Sequence, residues 1–411
     1  MQNRKDKSAI MNILYFGKIV DDKLHKEVET KKQNPYNTAQ YSYEKAFCDE
    51  ICNRTIMEIV SINQMKNFPK SPLFFGRRKQ KFQNTYIKYI HYINIAFLKE
   101  ICYFISTCVR IIKWAIKNRK QCDKCIYSNT HYAPVSLGIV LIGSLLKIKK
   151  IVTFTDLSLF TYSEEKIKRM PLYKRIVIRP YVKLVNKLQQ SYDLYVLFSK
   201  PMNNIVNPKN KPYVVMEGIY NPDNLDLNKV EKKNAIAHAG TLNKEVGIDK
   251  ILEVFSKIKD RDLELWLIGK GDMEETIKKE TEKDKRIKFI GFIPKNEVFE
   301  YLKKARLLVN LRNPKDIYTK YSFPSKTFEY MVSGTPFFTT KLDGITEEYY
   351  NFLYTTNSYD TETIANEIEK VIHKEEKELD EFGMEARRFI LQNKNAKKQI
   401  NKVLDFLNSN I

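Results

Sequence analysis

The run Phe323-Pro-Ser-Lys-Thr-Phe-Glu-Tyr-Met-Val-Ser-Gly-Thr-Pro336 carries a hydroxyl, an ammonium and a carboxylate at helical spacing. Pro324 suits the first turn of a helix, where its missing N–H would have had no intrahelical acceptor. Gly334 suits the position just past the last turn, and Pro336 prevents continuation. A short helix over 325–332 is therefore expected, with Ser325 and Lys326 at its start. A helix start offers unbonded N–H groups and a partial positive charge, which together hold phosphate. Ser325 adds a hydroxyl donor and Lys326 a full charge. Glu329 lies four residues after Ser325, on the same helical face. A carboxylate there can accept two hydrogen bonds from a ribose diol beside a diphosphate. A surface helix with a solvated Glu329 fits the same residues equally well.

Three further candidates stand where strands are expected to end. Gly17 closes Asn12-Ile-Leu-Tyr-Phe-Gly17, and its lack of a side chain permits close approach to a ligand. Asp156 follows Ile151–Thr155, at the edge where parallel α/β sheets bind ligands; a loop cap is the alternative. His131, in Ser-Asn-Thr-His131 after the strand at Cys125, is a candidate catalytic group or a structural histidine.

These residues need a scaffold of alternating strands and helices. In the first half the expected strands are Asn12–Phe16, Ile56–Ile62, Tyr86–Ile93, Cys125–Ser128, Ile151–Thr155 and Leu194–Phe198. Helices are expected over Thr38–Cys52, Ala96–Lys117, Val135–Leu146 and Leu172–Gln190. In the second half strands fit Ala235–Ala239, Leu263–Ile268, Ile287–Ile290 and Leu307–Leu311. Helices fit Ile248–Lys257, Met273–Lys279, Lys295–Ala305 and Thr361–His373, besides the one at Ser325. Short connections suit doubly wound units, so the fold class is α/β with two Rossmann-like domains. The polar segment Asn207–Pro212 reads as a linker. It divides an N-terminal domain, 1–208, from a C-terminal domain, 209–390, and a last helix within 391–411 is expected to return to the first domain.

A chain of 411 residues with 43 % hydrophobic residues has enough apolar mass for two cores, which excludes wholesale disorder. The longest apolar run, Ala133 to Leu146, is too short to span a bilayer. The polar, basic start lacks the apolar stretch of a signal peptide, so the expected location is the cytoplasm. All six cysteines fall between Cys48 and Cys125; the single Cys122-x-x-Cys125 lacks a second pair, and reduced thiols are expected. The formal charge of +22 favours anionic partners, whether nucleic acid, acidic lipid or phosphorylated substrates.

The block from Phe323 to Pro336 resembles the donor-site motif of the large "group 1" family of retaining GT-B glycosyltransferases. Ala239-Gly-Thr-Leu242 with Gly247 is similar to that family's first strand and turn, and Leu267-Ile-Gly-Lys-Gly-Asp272 to its strand-to-helix glycine pair. Ile290-Gly-Phe-Ile-Pro294 resembles its base-binding segment. Four ordered motifs within about 100 residues are far more specific than a lone Gly-x-Gly.

The resemblance implies a GT-B fold, two Rossmann-like domains facing a central cleft. It also implies sugar transfer from a nucleotide diphosphate sugar, with a UDP-sugar the first candidate. Ser325 and Lys326 would hold the diphosphate, Glu329 the ribose, and the backbone at Phe292 and Ile293 the base. Gly240 would admit the donor closely, and Arg312 would add charge at the phosphates or else pair with Asp316. Phe292 reads equally as a core aromatic. No cofactor besides the nucleotide sugar, and no metal, is implied; no Asp-x-Asp stands convincingly at a strand end.

Departures are equally specific. Tyr321 stands where the family commonly has a Glu contacting the transferred sugar, eight positions before Glu329. Val246 replaces a Lys before the first-loop glycine and Thr241 an Arg, with Lys244 close by as a substitute. Thr155 replaces the His of a His-Asp pair ahead of Asp156.

The acceptor is expected on the first half, as a saccharide or lipid-linked saccharide in cell-surface polysaccharide assembly. There, 166–187 interleaves Ile, Leu, Tyr and Val with Lys and Arg, a pattern that can lie on an anionic membrane surface at the inner face of the plasma membrane. An ordinary solvated helix with a buried stripe is the alternative. Two rival functions remain: a nucleic-acid-binding protein, disfavoured because the basic residues are spread along the chain, and a GT-B-fold nucleotide-sugar epimerase, whose paired acid and base groups are missing here.

Overall fold

Strand β1 (Asn12–Gly17) is apolar on both faces and buried throughout, as a central strand of a helix-covered parallel sheet must be. The computed structural model describes residues 11–20, 38–63, 65–76, 79–157, 167–168, 170–220, 228 and 230–411. Within them the chain forms two units: one of residues up to 219, bar Ser199–Pro201, with Ala396–Ile411, the other chiefly Tyr220–Asn395.

The first unit adds β2 (Ile56–Ser61), β3 (Phe74–Phe75), β4 (Lys79–Phe82), β5 (Thr85–Tyr89), β6 (Tyr92–Ile93), β7 (Lys124–Ser128), β8 (Lys149–Phe154), β9 (Leu194–Leu197) and β10 (Tyr213–Val215). Its main sheet runs β10-β9-β8-β7-β1-β2-β5-β4, parallel except for the β4–β5 pair. The single strand expected over Tyr86–Ile93 is in fact two. Thr85–Tyr89 extends the sheet beside β2, while Tyr92–Ile93 turns away to pair antiparallel with β3.

Helix α1 (Thr38–Cys52) crosses from β1 to β2, in the opposite direction to α2 (Leu98–Lys117), α3 (Ala133–Leu145) and α4 (Leu172–Gln189). Right-handed crossovers therefore put α1 on one face of the sheet and the other three side by side on the opposite face.

The second unit is a six-stranded sheet in the order β13-β12-β11-β14-β15-β16. Its strands are β11 (Lys233–Thr241), β12 (Glu264–Lys270), β13 (Ile287–Gly291), β14 (Ala305–Asn310), β15 (Phe337–Thr340) and β16 (Tyr354–Thr356), all pairing parallel. Chain order reverses at β11, which makes its carboxyl end a topological switch point. The covering helices are α5 (Ile248–Lys257), α6 (Glu274–Lys283), α7 (Lys295–Lys304), α8 (Ile317–Tyr321), α9 (Lys326–Ser333), α10 (Thr361–Ile372) and α11 (Glu376–Asn393).

The boundaries differ from the sequence expectation. The first unit continues past 208 to Ile219, because Tyr213–Val215 adds a parallel strand to β9. The final crossing comes at Ala396 rather than 391. Helix α12 (Ala396–Asn408) then buries Ile400, Val403 and Leu407 in the first unit's core, with Tyr43, Phe47 and Ile51 of α1.

Candidate functional site

Helix α9 begins and ends as its residues require. Ser325 is its N-cap, is exposed, and makes no cap hydrogen bond through its hydroxyl. Gly334 closes the helix at φ +74°, and its amide donates to the Met331 carbonyl at 3.2 Å. Arg387 of α11 donates to the last carbonyls, Val332 and Ser333, setting a cation against the negative end of the helix. A Cβ at Gly334 would meet that guanidinium at 2.7 Å.

Tyr330 fixes where the other end of α9 points. Its hydroxyl accepts from the Ala239 amide at 2.7 Å and donates to the Ala239 carbonyl at 3.0 Å, clamping α9 to the end of β11. The Lys326 stem thereby lies over Gly240, where a Cβ would stand 3.3 Å from Cε and where φ is +148°. Nothing but glycine suits that position. Lys326 Nζ reaches Glu329 Oε2 at 2.7 Å, the two side chains being 34 % and 27 % exposed. Serine, lysine and glutamate thus gather at one accessible helix start, above the switch point.

The neighbouring strand ends are equally bare. A Cβ on Gly269 would sit 1.8 Å from the Gly240 carbonyl oxygen, and one on Gly271 would sit 2.3 Å from the Leu242 oxygen. Gly247, at φ +85°, is held against the Leu311 carbonyl. At the end of β13, Phe292 is 74 % exposed with the Lys270 ammonium 4.7 Å from its ring centroid, while Ile293 packs against the core. The core-aromatic reading of Phe292 is thereby corrected: the turn at Gly291 carries its ring out of the core.

Arg312 does not pair with Asp316. Among the described residues no carboxylate bonds to it and its Nε is buried without a partner, while Asp316 bonds to Asn313. Burial pulls its pKa down from the ordinary value, the nearby Tyr318 and Tyr330 hydroxyls partly offsetting this. An uncompensated, half-buried guanidinium close to the Lys326 end of α9 adds positive charge to that helix start. His238, unmarked in the sequence, sits buried beneath with Nδ1 3.0 Å from the Val309 carbonyl. Burial, with the Arg312 and Lys326 charges, brings it down to about 4, so at neutral pH it adds no charge.

Lys244 goes elsewhere: it is 80 % exposed in the turn Lys244–Val246 and pairs with Asp249 at 3.7 Å. Tyr321 ends α8, half-buried, with the Lys320 ammonium 5.9 Å from its ring.

In the first unit, what approaches Gly17 closely is the chain's own Glu44. A Cβ there would stand 2.5 Å from Glu44 Oε2. Glu44, 1 % exposed on α1, accepts from the Lys18 amide at 2.7 Å, from Tyr15 at 3.3 Å and from Gln40 at 3.2 Å. Burial raises it from 4.5 to about 7, against the opposing pull of those donors and of the Lys18 charge. Lys18 also acts on His131, which lies flat on Phe154 with centroids 4.2 Å apart. Burial first, then Lys18, lowers that imidazole to about 3, so it is neutral in ordinary buffers. Asp156 is exposed and accepts from the Leu157 amide at 2.7 Å, the geometry of a loop cap. The β1 and β7 ends thus converge on a Glu44–Lys18–His131 group, of which only His131 stood out in the sequence.

Comparisons with known proteins bear on this geometry. The profile described as "Glycosyl transferases group 1" matches residues 223–389. Anabaena HepE in complex with UDP superposes with a TM-score of 0.62 at 12 % identity, over 97 % of this chain and 100 % of that one. The lipopolysaccharide outer core galactosyltransferase WaaB gives 0.62 at 11 % identity, over 98 % and 100 %. Sucrose-phosphate synthase from Thermosynechococcus elongatus gives 0.60 at 13 %, over 97 % and 98 %. A search among curated protein sequences found no match. Most of the second unit therefore matches the group 1 glycosyl transferase profile, and the chain as a whole has the GT-B fold of these solved structures, with two Rossmann-like units.

Proposed function

We propose that the protein moves a sugar from a nucleotide diphosphate sugar, a UDP-sugar first among candidates, to the hydroxyl of a lipid-linked saccharide in cell-surface polysaccharide assembly. The transfer retains the anomeric configuration and needs no metal ion. The observation that carries this reading is the α9 start, which presents the Ser325 hydroxyl and the Lys326–Glu329 pair above Gly240. That HepE was crystallised with UDP, with UDP and glucose, and with UDP-glucose supports the donor class.

In this reading the diphosphate lies against the α9 amides, Ser325 and Lys326, with Arg312 beside them. Glu329 accepts from the ribose hydroxyls, each carboxylate oxygen having room for more than one hydrogen bond. Phe292 offers an exposed ring face to the base. The bond from the anomeric carbon to the phosphate oxygen breaks, and the acceptor oxygen bonds to that carbon on the same face. The acceptor proton passes to the departing diphosphate. Charge growing on the diphosphate is stabilised by groups already in place, which is where electrostatic catalysis is most effective.

The test is thermal unfolding of the full chain with UDP, GDP or ADP, with Glu329→Ala as control. One nucleotide should raise the melting temperature of the wild type and fail to do so in Glu329→Ala. If all three leave it unchanged, the donor site is abandoned. Chelation by EDTA should leave both binding and transfer intact; loss of transfer with chelator would remove the metal-independent mechanism.

A further inference from the structure

Helix α4 has eighteen residues, and of those described only Leu188 and Gln189, at its last turn, are buried. Ile178, Val182 and Val185 form a half-buried stripe, while Ile176 and Val177 on the outer side are 65 % and 70 % exposed, more apolar surface than a simply solvated face carries. Helix α2, which packs on α3 as α3 packs on α4, has two apolar faces. One buries Tyr103, Ile111 and Trp114. The other carries Ile105, Ile112 and Ile116 outward, the last at 64 %, and Leu145 at the end of α3 is exposed at 73 %. Most large hydrophobic side chains exposed among the described residues lie on these three neighbouring helices or at their ends. A contiguous apolar surface of this kind marks an interaction site rather than an ordinary exterior.

The charge on this face selects the partner. Helix α4 carries Lys174, Arg175, Arg179, Lys183 and Lys187 and no acidic residue, and α3 is followed by Lys147 and Lys149. Among the described residues no helix is long and apolar enough to cross a membrane, so such a surface can lie on a bilayer but not span it. Isoleucine and valine set among lysines match the layered chemistry of an anionic leaflet. Acyl chains take the apolar groups, and phosphate headgroups take the ammonium groups a few ångströms further out.

We propose that the α2–α3–α4 face of the first unit docks on an anionic phospholipid surface. This deepens the reading of the acceptor as lipid-linked and takes its purpose from it; the binding itself is measured separately. The full chain is mixed with vesicles of phosphatidylcholine alone, or with about a third phosphatidylglycerol, and floated on a density gradient. The wild type should float with the anionic vesicles, and the bound fraction should fall as salt rises. Ile176→Glu/Val177→Glu should lower the partition constant about tenfold or more, since each change removes buried apolar area. Lys174→Glu/Lys183→Glu should lower it about fivefold for each charge removed. Leu145→Glu, on a different helix, should weaken binding as well, which guards against misfolding of one variant. An unchanged melting temperature confirms that each is folded.

Absence of flotation overturns the inference, as does flotation unaltered by Ile176→Glu/Val177→Glu. A concentration-dependent dimer that the same variant dissociates, without flotation, would assign the face to a second copy and overturn it too. Nucleotide stabilisation retained while flotation fails refutes docking alone. Flotation retained without nucleotide stabilisation refutes the donor site alone.

Discussion

Replacing Glu44 by Gln should change how stability depends on pH, and the structure sets both sign and size. Glu44 is almost fully buried on α1, with its carboxyl raised from 4.5 to about 7. A raised carboxyl holds a proton in the folded state that the unfolded chain gives up. Its contribution is therefore fully present below pH 4.5, is lost as pH rises through the interval to about 7, and is constant above that. At roughly 1.4 kcal/mol for each pH unit of separation, the whole effect is about 3 kcal/mol, of which about 2.5 kcal/mol falls between pH 5 and pH 8. The amide of Glu44→Gln keeps an acceptor for the Lys18 N–H but does not ionise. Urea unfolding of wild type and Glu44→Gln across that range is the assay. The difference between the two cancels His131 and His238, whose low values act on both proteins alike. The variant should gain on the wild type steadily as pH rises. A difference that is flat, or a wild type that gains on the variant, would refute the account of Glu44 as a carboxylate ionised at a cost.

Four further outcomes follow from the second unit. Arg312→Met should leave the unliganded fold as stable or up to about 2 kcal/mol more stable, because a half-buried charge without a carboxylate partner is removed; nucleotide-induced stabilisation should vanish, as measured by the same thermal assay. Tyr330→Phe leaves the Ala239 amide and carbonyl without their hydroxyl partner and should cost about 1–3 kcal/mol in urea unfolding. Phe292→Ala removes an exposed ring, so stability should stay within about 0.5 kcal/mol, while calorimetric affinity for the nucleotide should fall about tenfold. Gly247→Ala places a Cβ 2.1 Å from the Leu311 oxygen at φ +85° and should destabilise by more than about 2 kcal/mol.

Much of the second unit was readable because its signals are local. Pro324, Gly334 and Pro336 act on their own backbone, so the bounds of α9 follow from residues within the helix and one turn beyond. The strands from β11 to β14 show as short apolar runs, and Gly240, Gly269 and Gly271 sit in order because each strand end must be bare. The alternation of strand and helix likewise announces parallel sheets, since parallel pairing needs a crossover connection, usually a helix, to return the chain.

What tertiary structure alone decided depends on partners far apart in sequence. Glu44 looks like any acid of an amphipathic helix until Tyr15 and Lys18, twenty-nine and twenty-six residues away, close around it. Tyr330 becomes a clamp only because β11 passes beneath it, ninety-one residues earlier in the chain. Arg312 lies four residues before Asp316, yet the acid bonds to Asn313 and leaves the guanidinium to the site. Val214 of β10 and Val403 of α12 belong to the first unit because a sheet edge and a helix groove were open there. Propensity and periodicity are properties of a segment, whereas burial and electrostatic environment belong to whatever the fold brings alongside it.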